Sequence, residues 1–214
     1  MFSVRQIKKS ALMSLKGNRR AAALAVLVCA AVDALLCTPV SEDAPLWVDL
    51  IAVVATVISG GGCLLAWSTF FIGTTTGRRC TFWDFIQGFE HFLVGAATFA
   101  WCALWVFLWS LLFLIPGIVK TFSYSMTFFV LSENPSLGAR RAIALSKVLT
   151  RGHKGDLFVL LMSFLLWEIL AALTLEILQL WLAPYVASSL AHSYWQLKEE
   201  ALRTGALTVA DFQS

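Results

Sequence analysis

Charged residues are scarce in this sequence. Only 14% of its 214 residues are Asp, Glu, Lys or Arg and 59% are hydrophobic, whereas an ordinary soluble domain has roughly a quarter charged residues. One water-soluble core cannot hide so many apolar side chains, because a domain of this size still has to cover a large water-facing surface. The scarcity of charge therefore excludes an ordinary soluble domain and predicts an integral membrane protein.

The motifs of common enzyme and metal sites are missing as well. The sequence contains no HExxH, no GxSxG and no glycine-rich phosphate loop. Its five cysteines lack a CxxC spacing, and its three histidines lie far apart. We therefore expect no catalytic site, no metal and no cofactor. We also expect no nucleic-acid partner, since the basic residues lie beside apolar segments and not in a cluster with stacking aromatics.

Long apolar segments, by contrast, fill most of the chain. A helix needs about 20 mainly apolar residues to cross the hydrocarbon core of a bilayer. Six segments approach that length: residues 20–38, 47–72, 93–115, 117–132, 156–176 and 183–198. The fourth is short, because Pro116-Gly117 and Asn134-Pro135 interrupt the chain on either side, and whether it crosses fully stays open. The sequence predicts a single all-α domain, a polytopic membrane bundle of about six transmembrane helices.

Lys and Arg are nearly absent from alternate loops of this arrangement. Of the 16 basic residues, all but Lys120 lie in the N-terminal segment, the loop after span two, the loop 133–155 and the tail 199–214 with its flanking Lys198. The intervening loops carry acids instead, among them Glu42 and Asp43. Because Lys and Arg accumulate in cytoplasmic loops, we predict that both termini are cytoplasmic.

Two segments outside the spans, residues 1–19 and 133–155, have the pattern of amphipathic helices. Each has a basic stripe about 40° wide, with apolar residues gathered on another side. Such helices lie at the headgroup level and attract anionic lipid, so we predict membrane lipids as partners. The residues predicted to contact anionic headgroups are Arg5, Lys9, Lys16, Arg140, Lys147 and Arg151. The alternative is that these charges only orient the chain while the helices pack between spans.

A few charged or titratable residues lie within the apolar segments. An ionised side chain at the bilayer centre costs about 2.5–3.5 kcal/mol on insertion scales, so such residues face protein or water. At about 1.5 Å per residue, three of them reach similar depths in the outer half of the bundle and a fourth lies slightly nearer the outside. They are Asp33, Glu168, His192 and Lys120. We predict either one buried polar cluster or separate residues, with Asp33 near a helix end, Lys120 at the interface and only Glu168 buried with a local hydrogen bond.

Three adjacent glycines, Gly60, Gly61 and Gly62, lie at mid-depth in span two. Glycines inside a membrane helix allow close approach of a second helix. They also allow an unwound segment, which is tolerated where protein or a cavity satisfies the backbone. Both possibilities, close packing and a helix break at a binding site, stay open.

The second half of the chain carries a set of recognisable motifs. They are IPGIVK, the ENP turn, the SK and GHK elements around Ser146 and Lys154, the SF..W pattern of span five, and Pro184-Tyr185. From about Trp109 to Leu197, with LKGN before the first span, the chain resembles the Domain of Unknown Function 975 family of bacterial membrane proteins. Leu166 and Ser193 depart from the family's pattern, which often has glycine and an aromatic there. The resemblance implies a helical module in the bacterial inner membrane, and no activity or functional residues.

Two functional classes remain open at this point. We predict a non-catalytic membrane module that binds lipid or a partner, either another membrane protein or a second copy of this chain. The alternative is a small transporter or channel that uses the buried polar cluster. A continuous polar path would favour transport, whereas a dry, tightly packed core with exposed basic residues would favour the module.

Overall fold

The computed structural model describes residues 3–36, 45–112, 114–174 and 176–213, and every regular element within them is helical. The prediction of an all-α fold is therefore confirmed. The acidic loop with Glu42 and Asp43 lies outside the described residues, as do the last residues of predicted span one.

The helices follow one another with short connections. In chain order they are α1 (Val4–Leu15), α2 (Arg19–Leu36), α3 (Leu46–Thr75), α4 (Phe82–Gln87), α5 (Phe92–Leu112), α6 (Leu114–Tyr124), α7 (Thr127–Glu133), α8 (Gly138–Leu149), α9 (Lys154–Met162), α10 (Leu165–Leu173) and α11 (Gln179–Arg203). Single 3-10 turns form at Gly88–His91, Pro135–Leu137 and Val209–Phe212. The segment 133–155 is thus not one helix, because Asn134 caps the turn at Pro135 and α8 begins only at Gly138.

Three helices in the described part of the chain are long and apolar enough to cross a membrane: Trp47–Thr75, Phe82–Leu111 and Lys154–Leu173. They correspond to predicted spans two, three and five. The remaining predicted spans coincide with α2, α6 with α7, and α11. Three charged residues lie in α2, the fourth segment is broken near Ser125, and α11 carries Ser, His and Gln side chains along its length. A count of about six spans is therefore not confirmed.

Helices α3 and α5 approach each other closely. Helix α3 continues without interruption through Gly60, Gly61 and Gly62. A Cβ atom added to Gly61 would lie 2.5 Å from Ala96 Cα, and one added to Gly95 would lie 2.6 Å from the Gly61 carbonyl oxygen. Only glycine permits backbones to approach so closely. In this structure the glycines serve close packing of two helices, and α3 does not unwind there.

A buried apolar cluster joins helices from both halves of the chain. It draws on α1, α2, α3, α7, α8 and α11, and on Leu207 and Phe212 of the C-terminal tail. Phe70, Phe71 and Tyr194 are among its largest fully buried side chains. We call this cluster the packed region. Since Leu15 and Phe212 both belong to it, the N-terminal and C-terminal segments are parts of one body.

Parts of α3, α5 and α10 are apolar yet exposed. We call residues 47–58 of α3, 104–111 of α5 and 165–173 of α10 the exposed apolar region. Leu111, Leu166 and Leu173 in this region are 74%, 79% and 76% exposed. Monomeric soluble proteins rarely leave large contiguous apolar patches facing water. A lipid bilayer would cover such a surface and shield it from water.

Helix α1 crosses the first half of α11. The hydroxyl oxygens of Ser14 and Ser188 are 3.0 Å apart, and Ser188 also donates to the Ala11 carbonyl oxygen at 3.4 Å. A complete sixth span over residues 183–198 would place Ser188 near the outer membrane surface, whereas α1 is predicted to lie on the inner one. The two positions cannot both hold, because short serine side chains do not reach across a bilayer of about 30 Å. The contact therefore does not fit the predicted sixth span.

Candidate functional site

A half-open cavity of about 270 Å³ lies beside the crossing of α1 and α11. One wall comes from the C-terminal half of α1 and the first turns of α2, the other from α10 and the start of α11. Its lining consists of Leu, Ala, Pro, Trp and Tyr side chains and one charged residue, Arg19. Ligand sites are mostly apolar concavities with a few polar groups that fix orientation. This cavity is therefore the candidate site.

The position of α1, and with it one wall of the cavity, follows from its amphipathic sequence. Ile7, Ala11 and Leu15 recur at helical spacing and are all buried. Lys8, next to this face, donates to the Ser163 carbonyl oxygen at 3.2 Å and lies 3.9 Å from the centre of the Phe164 ring. Partial burial lowers the pKa of Lys8. The sequence patterns pointed to the apolar face but gave no signal for the role of Lys8.

The start of α2 is held by a single asparagine. Asn18 accepts a hydrogen bond from the Cys80 backbone N–H at 3.0 Å and donates one to the Arg78 carbonyl oxygen at 3.3 Å. These bonds tie the turn between α1 and α2 to the loop that follows α3. As a consequence Arg19, the next residue, has a fixed backbone position at the edge of the cavity.

Arg19 lies over an aromatic ring on the opposite wall. Its guanidinium carbon is 5.7 Å from the centre of the Trp181 ring, a distance at which a cation and an aromatic face attract each other. Trp167 and Tyr185 also line the cavity. Tryptophan and tyrosine are enriched at the headgroup level of membranes, where one part of the ring is dry and another is wet. The cavity thus has a cationic, aromatic rim and an apolar interior.

The four residues of the predicted polar cluster have separate surroundings. Glu168 accepts a hydrogen bond from Gln179 Nε2 at 2.8 Å, and His192 Nδ1 lies 2.8 Å from the Ser188 carbonyl oxygen of its own helix. Lys120 lies 4.7 Å from the centre of the Trp109 ring, and Asp33 is exposed. In the part of the chain that the structure describes, no hydrogen bond or ion pair joins any two of the four. The structure thus gives Glu168, His192 and Lys120 separate local partners and leaves Asp33 exposed.

The six basic residues predicted to meet lipid headgroups are all exposed: Arg5, Lys9, Lys16, Arg140, Lys147 and Arg151. The opposite face of α8, which includes Ala142, Leu145 and Leu149, is buried in the protein, as is the corresponding face of α1. Both helices thus present charge outward while their apolar faces pack on neighbouring helices. The apolar faces do not lie free on a headgroup surface.

The packed region contains an ionic network that was not predicted from the sequence. Glu133 accepts hydrogen bonds from the Tyr194 hydroxyl at 2.6 Å and from the Lys198 ammonium group, and Lys198 lies 4.4 Å from the centre of the Phe212 ring. Tyr194 is fully buried. The four-residue spacing of Tyr194 and Lys198 places both on one face of a helix, but nothing in the sequence indicates that Glu133 meets them. We assign this network to holding the tail and α11 against α7.

Possible metal ligands are not assembled in the same way. Among residues 3–36, 45–112, 114–174 and 176–213, no group of three or more His, Cys, Asp or Glu side chains is arranged to hold a metal ion.

Comparison with known proteins adds a family and no function. The model of a family described as "Protein of unknown function (DUF975)" matches residues 98–201. The motif-bearing stretch from Trp109 to Leu197 lies inside this match, whereas the LKGN before α2 lies outside it. Comparisons with the curated proteins and with the solved structures found no match. The resemblance to the Domain of Unknown Function 975 family is therefore confirmed over residues 98–201.

Proposed function

We propose that this chain is a non-catalytic module of the bacterial inner membrane that binds membrane lipid in the cavity between α1, α2, α10 and α11. The observation that carries the proposal is an apolar cavity of about 270 Å³, half open and lined by exposed apolar residues such as Leu12 and Trp167. In a bilayer, such an opening faces acyl chains. Its single charged lining residue, Arg19, suits the charged boundary between acyl chains and headgroups.

The membrane placement that we propose follows from the two regions of the molecule. The exposed apolar region lies in lipid, and the packed region, with the exposed lysines and arginines of α1 and α8, lies at the cytoplasmic surface. The positive-inside bias supports this orientation. Both termini are cytoplasmic in this arrangement, because Leu15 and Phe212 belong to one buried cluster.

A multi-pass topology is part of the same proposal. The segments Trp47–Thr75 and Phe82–Leu111 are connected by the basic loop with Arg78 and Arg79, and Lys154–Leu173 begins after the basic helix α8. If these three cross with their basic ends on one side, the chain has to return between Leu111 and Lys154. We propose α6 and α7 as that returning segment, and α2 as the segment that leads to α3.

A lipid-binding module is better supported than transport. The packed region is an apolar cluster, and the four polar residues on which a transport path was predicted to depend are not joined to one another. A continuous polar path would favour transport, whereas a dry core with exposed basic residues would favour the module. By these two criteria the module is favoured.

The proposal predicts that lipid stabilises the purified chain. A ligand that binds the folded state at a hundred times its Kd adds about 2.7 kcal/mol to the free energy of unfolding. The full chain, stripped of lipid in detergent, is therefore expected to gain several degrees in Tm when a bacterial polar lipid extract is added. An equal mass of extra detergent is the control. An unchanged Tm, with no lipid retained by the chain after washing, would refute lipid binding.

A further inference from the structure

The cavity beside Arg19 joins a cation to an apolar chamber, and that combination points to a class of lipid. We infer that the site binds an anionic phospholipid, with the headgroup phosphate at the Arg19 guanidinium group and part of one acyl chain in the cavity. The inference rests on the proposed lipid-binding function and names the lipid that the function serves.

The positive charge of Arg19 favours a phosphate as its ligand. The side chain is exposed, and no carboxylate within the described ranges pairs with it. Its interaction with Trp181 is with the face of that ring, which uses no N–H donor of the guanidinium group. The donors along its edge remain available, and their planar fork matches the oxygens of a phosphate. A phosphate would give Arg19 the anionic partner that the described chain does not supply.

The size and lining of the cavity favour part of one acyl chain as its occupant. Its volume of about 270 Å³ is just below the 300–1,000 Å³ typical of sites for whole drug-sized ligands. The small side chains of Ala22 and Ala23, together with Leu12 and Leu15, form part of the lining that includes Arg19. A narrow apolar space of this kind accommodates a segment of one acyl chain, while the rest of the lipid stays in the bilayer.

The basic residues around Arg19 favour a headgroup with a net negative charge. Lys16 and Arg20 lie near Arg19 in the sequence and are both exposed. A cluster of cations at the membrane surface attracts anionic lipids, at about 1 kcal/mol for each Lys or Arg. A zwitterionic headgroup would bring its own positive charge into this cluster. Phosphatidylglycerol is therefore favoured over phosphatidylcholine with the same acyl chains.

The test uses the full chain in detergent, titrated separately with phosphatidylglycerol and phosphatidylcholine of identical chains, with bound lipid counted by native mass spectrometry. Arg19→Gln removes the proposed phosphate partner, and Arg203→Gln, at an exposed position in the last turn of α11 and outside the lining, is its matched control. Ala23→Phe fills the cavity, and Leu24→Phe, at the neighbouring exposed position outside the lining, is its matched control. An unaltered Tm identifies variants that remain folded.

We expect one phosphatidylglycerol to bind the native chain with an affinity several-fold above that for phosphatidylcholine. Arg19→Gln should lower the phosphatidylglycerol affinity about tenfold, the size of one lost charge-assisted hydrogen bond, and Arg203→Gln should change it little. Ala23→Phe should weaken binding of both lipids, unlike Leu24→Phe.

Two failures are distinguishable. If Ala23→Phe weakens binding but the two headgroups bind equally well, or if Arg19→Gln and Arg203→Gln behave alike, the inference about the anionic headgroup is wrong while lipid binding stands. If neither lipid binds the native chain, or if Ala23→Phe binds both lipids as the native chain does, the cavity is not a lipid site and the proposed function fails with it.

Discussion

The packed region and the exposed apolar region use the same kinds of side chain in opposite surroundings. Leu131 in the packed region is fully buried, whereas Leu166 in the exposed apolar region is 79% exposed. Burying a leucine from water contributes about 1.5–3 kcal/mol, but lipid tails are as apolar as leucine and provide no such driving force between helices. The first region is stabilised by exclusion of water. The second depends on a bilayer to cover it.

The largest expected effect separates these two leucines. We expect Leu131→Ala to lower the free energy of unfolding in detergent by about 3 kcal/mol, because truncating a buried leucine removes apolar contacts and leaves a cavity. Leu166→Ala, the matched change on the exposed side, should alter it by less than about 0.5 kcal/mol. Denaturant titration of the purified variants measures both. Equal effects at the two positions would show that the regions do not differ as described.

A second, similarly large effect is expected where α3 meets α5. Gly61→Val should lower the free energy of unfolding by about 3 kcal/mol, as an overpacked interface forces backbone shifts. Gly60→Ala is the control, because its added Cβ would lie 3.8 Å from the nearest atom of Phe99, an ordinary contact. That change should be neutral or stabilising by up to about 1 kcal/mol, since alanine favours a helix over glycine. A native Tm for Gly61→Val would contradict the close approach.

A smaller effect is expected from the ionic network of the packed region. Glu133 and Lys198 are 18% and 15% exposed, so removing the charge of Glu133 leaves a mostly buried ammonium group without its anion. We expect Glu133→Gln to cost about 2 kcal/mol, less than the 3–5 kcal/mol of a fully buried pair. Glu199→Gln, at an exposed position of α11, should have little effect. Thermal unfolding of both variants in detergent provides the comparison, and equal Tm values would mean that the network contributes nothing.

The smallest effect concerns the docked tail and depends on pH. Hydrogen bonds from the Thr208 backbone N–H and hydroxyl, and then the nearby Arg141, hold the pKa of Asp211 below its usual range. A lowered pKa in the folded state means a contribution to stability that is present above the ordinary value of 3.8 and lost as the pH falls below it. The difference in stability between the native chain and Asp211→Asn should therefore be present at neutral pH and vanish in strong acid. A difference that does not change with pH would argue against the Asp211 contacts.

Features that depend on nearby residues were accessible from the sequence. The all-α fold follows from apolar runs and their breaks, and the burial of Ile7, Ala11 and Leu15 agrees with their helical spacing on one side of α1. The three long apolar helices coincide with predicted spans because length and composition alone define them.

Contacts between residues that lie far apart in the sequence could not be predicted from it. Hydrogen bonds such as Glu168 to Gln179 and Tyr194 to Glu133 join residues that no periodicity relates. Depth estimates from residue counts also assumed that every apolar segment crosses as a straight rod. The contact of Ser14 with Ser188 does not fit that assumption, because α1 packs on α11 where a straight sixth span would lie near the outer membrane surface.

The most direct test measures whether lipid or water surrounds each of the two regions when the full chain is in lipid bilayers. A spin-labelled amino acid at Leu166 or Leu173 reports the exposed apolar region, and one at Lys16 or Arg140 reports the basic surface. The account predicts that the first pair is accessible to dissolved oxygen and shielded from a water-soluble nickel complex, and that the second pair shows the reverse. Nickel accessibility at Leu166 and Leu173 equal to that at Lys16 and Arg140 would contradict it.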